Sequence, residues 1–182
     1  SVQAQESSKS KSASKLYERG NKTILVNNAS RLNTKGLETS PSFYNNGLLF
    51  VGEKKNGPID RKTGTRYFDL YYSEIDKNGN PLPSDRFSKF INSPYNEGAA
   101  CFNNNQDVIY FTSNNQQNGV TKSSSKSGVV LKIFQAQRGT EDWINIQELP
   151  FCSDDFNTAH PSLSADGTKL YFASDRPGGY GG

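Results

Sequence analysis

Three apolar runs along the chain line up: Leu48-Leu49-Phe50-Val51, Val108-Ile109-Tyr110-Phe111 and Lys169-Leu170-Tyr171-Phe172. Phe50, Phe111 and Phe172 stand 61 residues apart, and self-similarity at a fixed period marks a repeat architecture. Another short run precedes each across a turn: Pro41-Ser42-Phe43-Tyr44 before Asn45-Asn46-Gly47, Ala100-Cys101-Phe102 before Asn103-Asn104-Asn105, and Pro161-Ser162-Leu163-Ser164 before Ala165-Asp166-Gly167. Asn-Gly and Asp-Gly tolerate positive φ at little steric cost, so each unit is predicted to open with a β-hairpin. At the same offset, residues 68–75 match residues 129–136, with Phe68 facing Val129; both are rich in β-branched and aromatic residues and predict a third strand. A fourth is predicted near Phe87-Ser88-Lys89-Phe90-Ile91 and Trp143-Ile144-Asn145-Ile146.

Four strands per period of about 40 to 60 residues is the β-propeller pattern, in which each blade buries its faces by stacking on its neighbours. The expected fold is therefore all-β: a partial propeller of four-stranded antiparallel blades at about residues 40–97 and 98–158, with half of a third at 159–182. Closed propellers have roughly four to eight blades, so this chain alone is not expected to close a ring, and its bare faces predict self-association. An open β-sandwich satisfies the same composition and strand spacing, but has no reason to repeat one order of hairpin, long loop, strand, turn and strand.

Composition adds limits. The 182 residues contain no Met, which predicts a piece of a longer reading frame. Val2 and Ala4 stand where a signal-peptidase site carries small residues, so residues 1–4 read as the remnant of a signal peptide and predict export. Residues 5–22, rich in Ser and Lys, read as a disordered linker, with the partial propeller occupying 23–182. No run reaches the roughly 18 to 20 apolar residues of a membrane-spanning helix. A net charge of +3 without a concentrated patch does not predict a nucleic-acid partner. Cys101 and Cys152, with His160 the one histidine, cannot supply the four nitrogen or sulfur ligands of a usual structural zinc site, and no cofactor is expected.

The segment Ala159-His160-Pro161-Ser162-Leu163-Ser164-Ala165-Asp166-Gly167-Thr168-Lys169-Leu170-Tyr171-Phe172-Ala173-Ser174-Asp175-Arg176-Pro177-Gly178-Gly179-Tyr180-Gly181-Gly182 resembles the TolB-like, WD-repeat-like propeller motif of Bacteroidetes envelope proteins. Asn92-Ser93-Pro94-Tyr95-Asn96-Glu97-Gly98, Ile109-Tyr110-Phe111-Thr112-Ser113-Asn114-Asn115 and Glu148-Leu149-Pro150-Phe151 resemble the matching blade of OmpA-family proteins that carry it. The chain departs from the pattern at Cys152, where Asn is usual, and at Asn105-Gln106, where the Asp-Gly turn is lost. The resemblance implies a noncatalytic module at the outer membrane or periplasm, serving envelope anchoring or secretion machinery. Its partner would be a protein or a cell-wall glycan, with peptidoglycan held only through a C-terminal domain absent here. A propeller preceding a prolyl-peptidase-like hydrolase domain is the alternative.

Propeller geometry places the long second-to-third-strand loops and the blade connections on one face. Residues 52–66 carry Lys54, Lys55, Arg61, Lys62 and Arg66 against Glu53 and Asp60, and residues 113–128 add Lys122 and Lys126. Such loops suit anionic glycan, lipid head groups or an acidic protein patch, and equally an ordinary solvated surface. Tyr95 and Glu97 lie in one connection, Asp154, Asp155 and His160 in the next, and Arg176 opens the third loop. His160 beside Asp154 and Asp155 suggests acid–base chemistry or a metal, while a lone histidine more often bonds its own loop. Asp166-Gly167 reads as turn chemistry, Asp175 as a tie on loop backbone, and Trp143 as interblade packing or a stacking platform. Phe50, Phe111, Phe172, Pro161, Asp166 and Gly167 mark the structural repeat. Cys101 and Cys152 either pair or remain separate buried thiols. The chain has no Gly-x-Ser-x-Gly elbow, His-Glu-x-x-His or phosphate-loop spacing, and is read as not an enzyme.

Overall fold

The computed structural model describes residues 4–6, 15–60, 63–117, 120–121 and 129–180, and the architecture is all-β. Strands β1 (Ala4–Glu6), β2 (Lys15–Arg19) and β3 (Lys22–Val26) form a small antiparallel sheet. Residues 5–22 read as linker by composition, but Gln5 and Glu6 pair with Leu16 and Lys15, and Arg19 pairs with Lys22 across a two-residue turn that places Gly20 at φ 62. Leu16 opposite Leu25 gives that hairpin its apolar pair.

Two four-stranded antiparallel units follow. The first contains β4 (Glu38–Tyr44), β5 (Gly47–Glu53), β6 (Phe68–Glu74) and β7 (Asp85–Arg86) in that order. The second contains β8 (Glu97–Phe102), β9 (Val108–Asn114), β12 (Leu131–Arg138) and β13 (Trp143–Glu148), with the two-residue strands β10 (Gln116–Gln117) and β11 (Val120–Thr121) paired in its long loop. The opening hairpin of a third unit is β14 (Thr158–Leu163) with β15 (Leu170–Ser174).

Register shows the repeat at atomic level. Phe50 pairs with Tyr71 and Phe111 with Phe134, and the ring pairs stack alike, at 5.9 Å and 25° against 5.8 Å and 26°. The third strand of the second unit is therefore displaced from the sequence match: Phe68 corresponds to Leu131, because the loop ahead of β12 is two residues longer than the loop ahead of β6. The fourth strand of the first unit also differs from expectation, lying at Asp85–Arg86. Phe87 turns inward against the core, and Ser88 Oγ accepts the N–H groups of Phe90 and Ile91, which ends the strand.

All three first strands carry a bulge, between Thr39 and Ser42, Glu97 and Ala100, and Ala159 and Ser162, opposite Phe50 and Phe172 in the first and third units and opposite Thr112, one position further along, in the second. The hairpin turns diverge. Asn45 and Asn46 close the first, while the second loses Asp-Gly and is held by Asn103 Oδ1, which accepts the N–H groups of Asp107 and Val108. In the third, Asp166 accepts from the Ser164 and Thr168 hydroxyls and from Thr168 N–H beside Gly167 at φ 70, so this pair is turn chemistry. Those hydrogen bonds hold the Asp166 carboxyl down at about 2.

The main core lies between the first two units. Leu49, Val51 and Leu70 meet Ile109, Phe111, Phe134 and Ala136 there, with Tyr44, Phe102 and Trp143 closing one end. Tyr44 stacks on Phe102 at 4.5 Å and Trp143 sits 5.9 Å from the same ring, which settles Trp143 as packing. The outer face of the first unit, Phe50 and Tyr71, is covered by Leu32 and Ala29. Cys101 and Cys152 are free thiols. Burial pushes Cys101 up to about 11 and raises Cys152, which accepts Ile133 N–H.

Candidate functional site

The bulged first strands of all three units converge on one cavity of about 290 Å³. Thr39, Ser40 and Val51 line it from the first unit, Asn96, Glu97, Ala99 and Thr112 from the second, and His160 from the third, with Asp60, Thr63 and Thr65 from the first long loop. A bulge leaves backbone unpaired and re-aims the residue it carries. Ser40 and His160 occupy such positions at φ 53 and 58, each just before a proline. His160 N–H donates to Thr112 Oγ1 at 3.0 Å, and its ring is exposed at the cavity. Val51, Phe68 and Leu131 supply apolar wall between the hydroxyls. A space of this size, apolar with convergent hydroxyls, accommodates one sugar ring or two amino-acid side chains.

Beneath it lies a buried ionic joint between the first two units. Lys54, at the end of β5, sends its ammonium inward: it donates to the backbone carbonyls of Ser93 (2.7 Å) and Tyr95, and lies 3.1 Å from Asp69 Oδ1 and 3.8 Å from Glu97 Oε2. Arg86 Nε donates to Asp69 Oδ2 at 2.8 Å, and Ser93 Oγ donates to Glu97 Oε1 at 2.5 Å. Desolvation pushes the Glu97 carboxyl up to about 8, against the pull of Ser93 and Lys54, with neighbouring Asp69 adding to the rise.

The next junction repeats this joint with its charges exchanged. Tyr71 pairs with Arg86 as Phe134 pairs with Glu148, so Lys132 takes the place of Asp69 and Glu148 that of Arg86. Lys132 Nζ lies 2.8 Å from Glu148 Oε1 and 2.6 Å from Asp154 Oδ1. Burial works against its charge, but the two carboxylates outweigh burial and raise its pKa.

These contacts redistribute the residues expected on one binding face. Lys54 and Glu97 are buried and belong to the joint. Asp154 pairs with Lys132, not with His160, and no cluster of three potential metal ligands occurs among the described residues. Arg176 folds over Phe172, Phe156 and Phe151, with its guanidinium carbon 4.9, 5.1 and 6.0 Å from their ring centres. Asp175 does tie backbone, accepting from Asn157 N–H and its side-chain amide. Lys55 and Arg66 flank a separate groove of about 340 Å³ over Phe50 and Tyr71, where Arg66 also donates to the Gly57 carbonyl. Tyr95 is half-buried and serves the joint through its carbonyl. Arg61, Lys62 and Lys122 lie outside the described residues. Of the candidates, the structure therefore brings Glu97 and His160 to the shared cavity.

Asp69, Arg86 and Lys132 escaped notice as site residues. A signal was present: a single charge between apolar neighbours in equivalent third strands, Phe68-Asp69-Leu70 and Leu131-Lys132-Ile133, with opposite signs. Among the described residues no helix is long and apolar enough to cross a membrane. Comparison with protein-family models, with curated proteins and with solved structures finds no match.

Proposed function

We propose that the three units are blades of a β-propeller, of which this chain carries two four-stranded blades and the opening hairpin of a third. We further propose that it serves as a noncatalytic interaction module of an exported envelope protein, at the outer membrane or periplasm. Its partner, a protein segment or a glycan, docks at the cavity where the blades converge. The observation that carries this reading is the shared cavity itself: the bulged first strands of three repeats bring Ser40, Gly98, Ala99 and His160 to one space. Recurrence of a strained residue before a proline in the first and third units, Ser40 and His160, supports selection for a site. Resemblance of the segment around Pro161 and Asp166 to envelope propellers supplies the cellular setting.

Binding there needs shape and hydrogen bonds, not chemistry. The Thr39 and Thr112 hydroxyls and the His160 ring are spaced around apolar wall from Val51 and Phe68, an arrangement that selects a ligand with both a polar edge and an apolar face. The test places a photocrosslinking side chain at His160, and at exposed Phe90 as control, and incubates each with envelope protein and with purified peptidoglycan fragments. Adducts at His160 that vanish when Ala99→Trp fills the cavity support the reading. Equal labelling at both positions, or adducts indifferent to Ala99→Trp, would overturn it.

A further inference from the structure

We propose that Glu97 stands as the neutral acid at neutral pH, its Oε2 hydroxyl donating to Asp69, so that the joint between the first two units is a pH-sensitive clasp. Hydrogen-bond accounting carries this. An ammonium has three N–H groups, and Lys54 commits two of them to the carbonyls of Ser93 and Tyr95. Its third has two carboxylate oxygens to serve, Asp69 Oδ1 at 3.1 Å and Glu97 Oε2 at 3.8 Å, both fully enclosed and neither receiving a hydrogen bond. The other oxygens are provided for: Asp69 Oδ2 by Arg86, Glu97 Oε1 by the hydroxyls of Ser93 and Ser113. One proton between the two remaining oxygens satisfies both, because a protonated carboxyl donates and the facing carboxylate accepts.

The charge balance agrees. With Glu97 neutral, Asp69 is a single anion between Lys54 and Arg86; with Glu97 ionised, a second anion enters a place that no solvent reaches, its side chain being 0% exposed. Groups facing the pair are Lys54 at the end of β5, Asp69 and Tyr71 on β6 and Arg86 on β7, with Asp60 and His160 across the cavity. Burial raising Glu97 from 4.5 to about 8 points the same way. A carboxyl raised on folding contributes stability in full below its unfolded value and loses it as pH climbs through the folded one. Here that window runs from 4.5 to about 8. Asp69 and Glu97 sit on different units, so ionisation acts across the seam beneath the cavity.

The experiment is urea unfolding of the full chain from about pH 5 to about pH 9, for the parent and Glu97→Gln, with infrared spectra of each. The parent is expected to lose up to about tenfold in folding equilibrium constant per pH unit relative to Glu97→Gln, whose carboxamide donates the same hydrogen bond without titrating. A carboxylic-acid C=O band is expected in the parent at neutral pH, disappearing on alkaline titration and absent from Glu97→Gln. Parallel pH profiles for the two proteins, or no such band, would overturn the proposal. The infrared reading needs only the folded parent, so it stands even where Glu97→Gln folds poorly, and it is independent of what docks in the cavity.

Discussion

Removing the same charge from two equivalent joints separates burial from mere pairing. Lys54→Met leaves Asp69 and Glu97 behind, whose side chains are 3% and 0% exposed. Neither recovers water, the carbonyls of Ser93 and Tyr95 lose their donor, and Arg86 remains as the one compensating cation. Breaking a buried pair by deleting one partner costs about 3–5 kcal/mol, and because Arg86 stays the lower end applies, about 3 kcal/mol. At this chain length that lowers the melting temperature by about 6–12 °C. Lys132→Met strands Glu148 and Asp154 instead, and these are 38% and 44% exposed. Both rehydrate, so the expected cost is within about 1 kcal/mol, the range of solvent-screened pairs. Urea denaturation of both variants near neutral pH, with a double-mutant cycle of Lys54→Met and Asp69→Asn, measures the contrast. A Lys132→Met cost equal to or larger than that of Lys54→Met would refute the reasoning, since partner exposure would then not govern the penalty.

Gly47→Ala is expected to cost about 2–3 kcal/mol through overpacking: a Cβ there would run into the Ser73 carbonyl oxygen, which strand pairing holds in place, and stand 2.7 Å from the Tyr72 ring, and differential scanning calorimetry reads the loss. The two thiols are expected to resist labelling in the native chain near pH 8 and to react on unfolding. Cys101, raised to about 11, exposes only about a thousandth of its thiolate there, so rapid native labelling of Cys101 would contradict its burial.

The repeat was legible because it is written locally. Apolar runs, Asn-Gly and Asp-Gly turns and the interval between Phe50, Phe111 and Phe172 depend only on neighbours in sequence, and they specify hairpins whatever lies around them. The hairpin at Lys15–Arg19 and Lys22–Val26 was not, since its Ser- and Lys-rich approach outweighed one Leu16–Leu25 pair. Two extra residues in a loop displaced β12 from the sequence match, because strand register is chosen by pairing with β9 and not by counting from the preceding repeat.

The site divides along the same line. By itself the sequence determined an all-β repeat chain, its turns, and the place of His160 beside a proline at the start of the third hairpin. Only the tertiary structure decided that Lys54 and Glu97 face inward, that Asp154 belongs to Lys132, and that three bulges share one cavity. The physical reason is that a strand has two faces and sequence alternation does not say what covers each. Asp69 and Lys132 look like outward charges until the next unit packs over them, and burial then converts ordinary loop and strand charges into the joint that holds the units together.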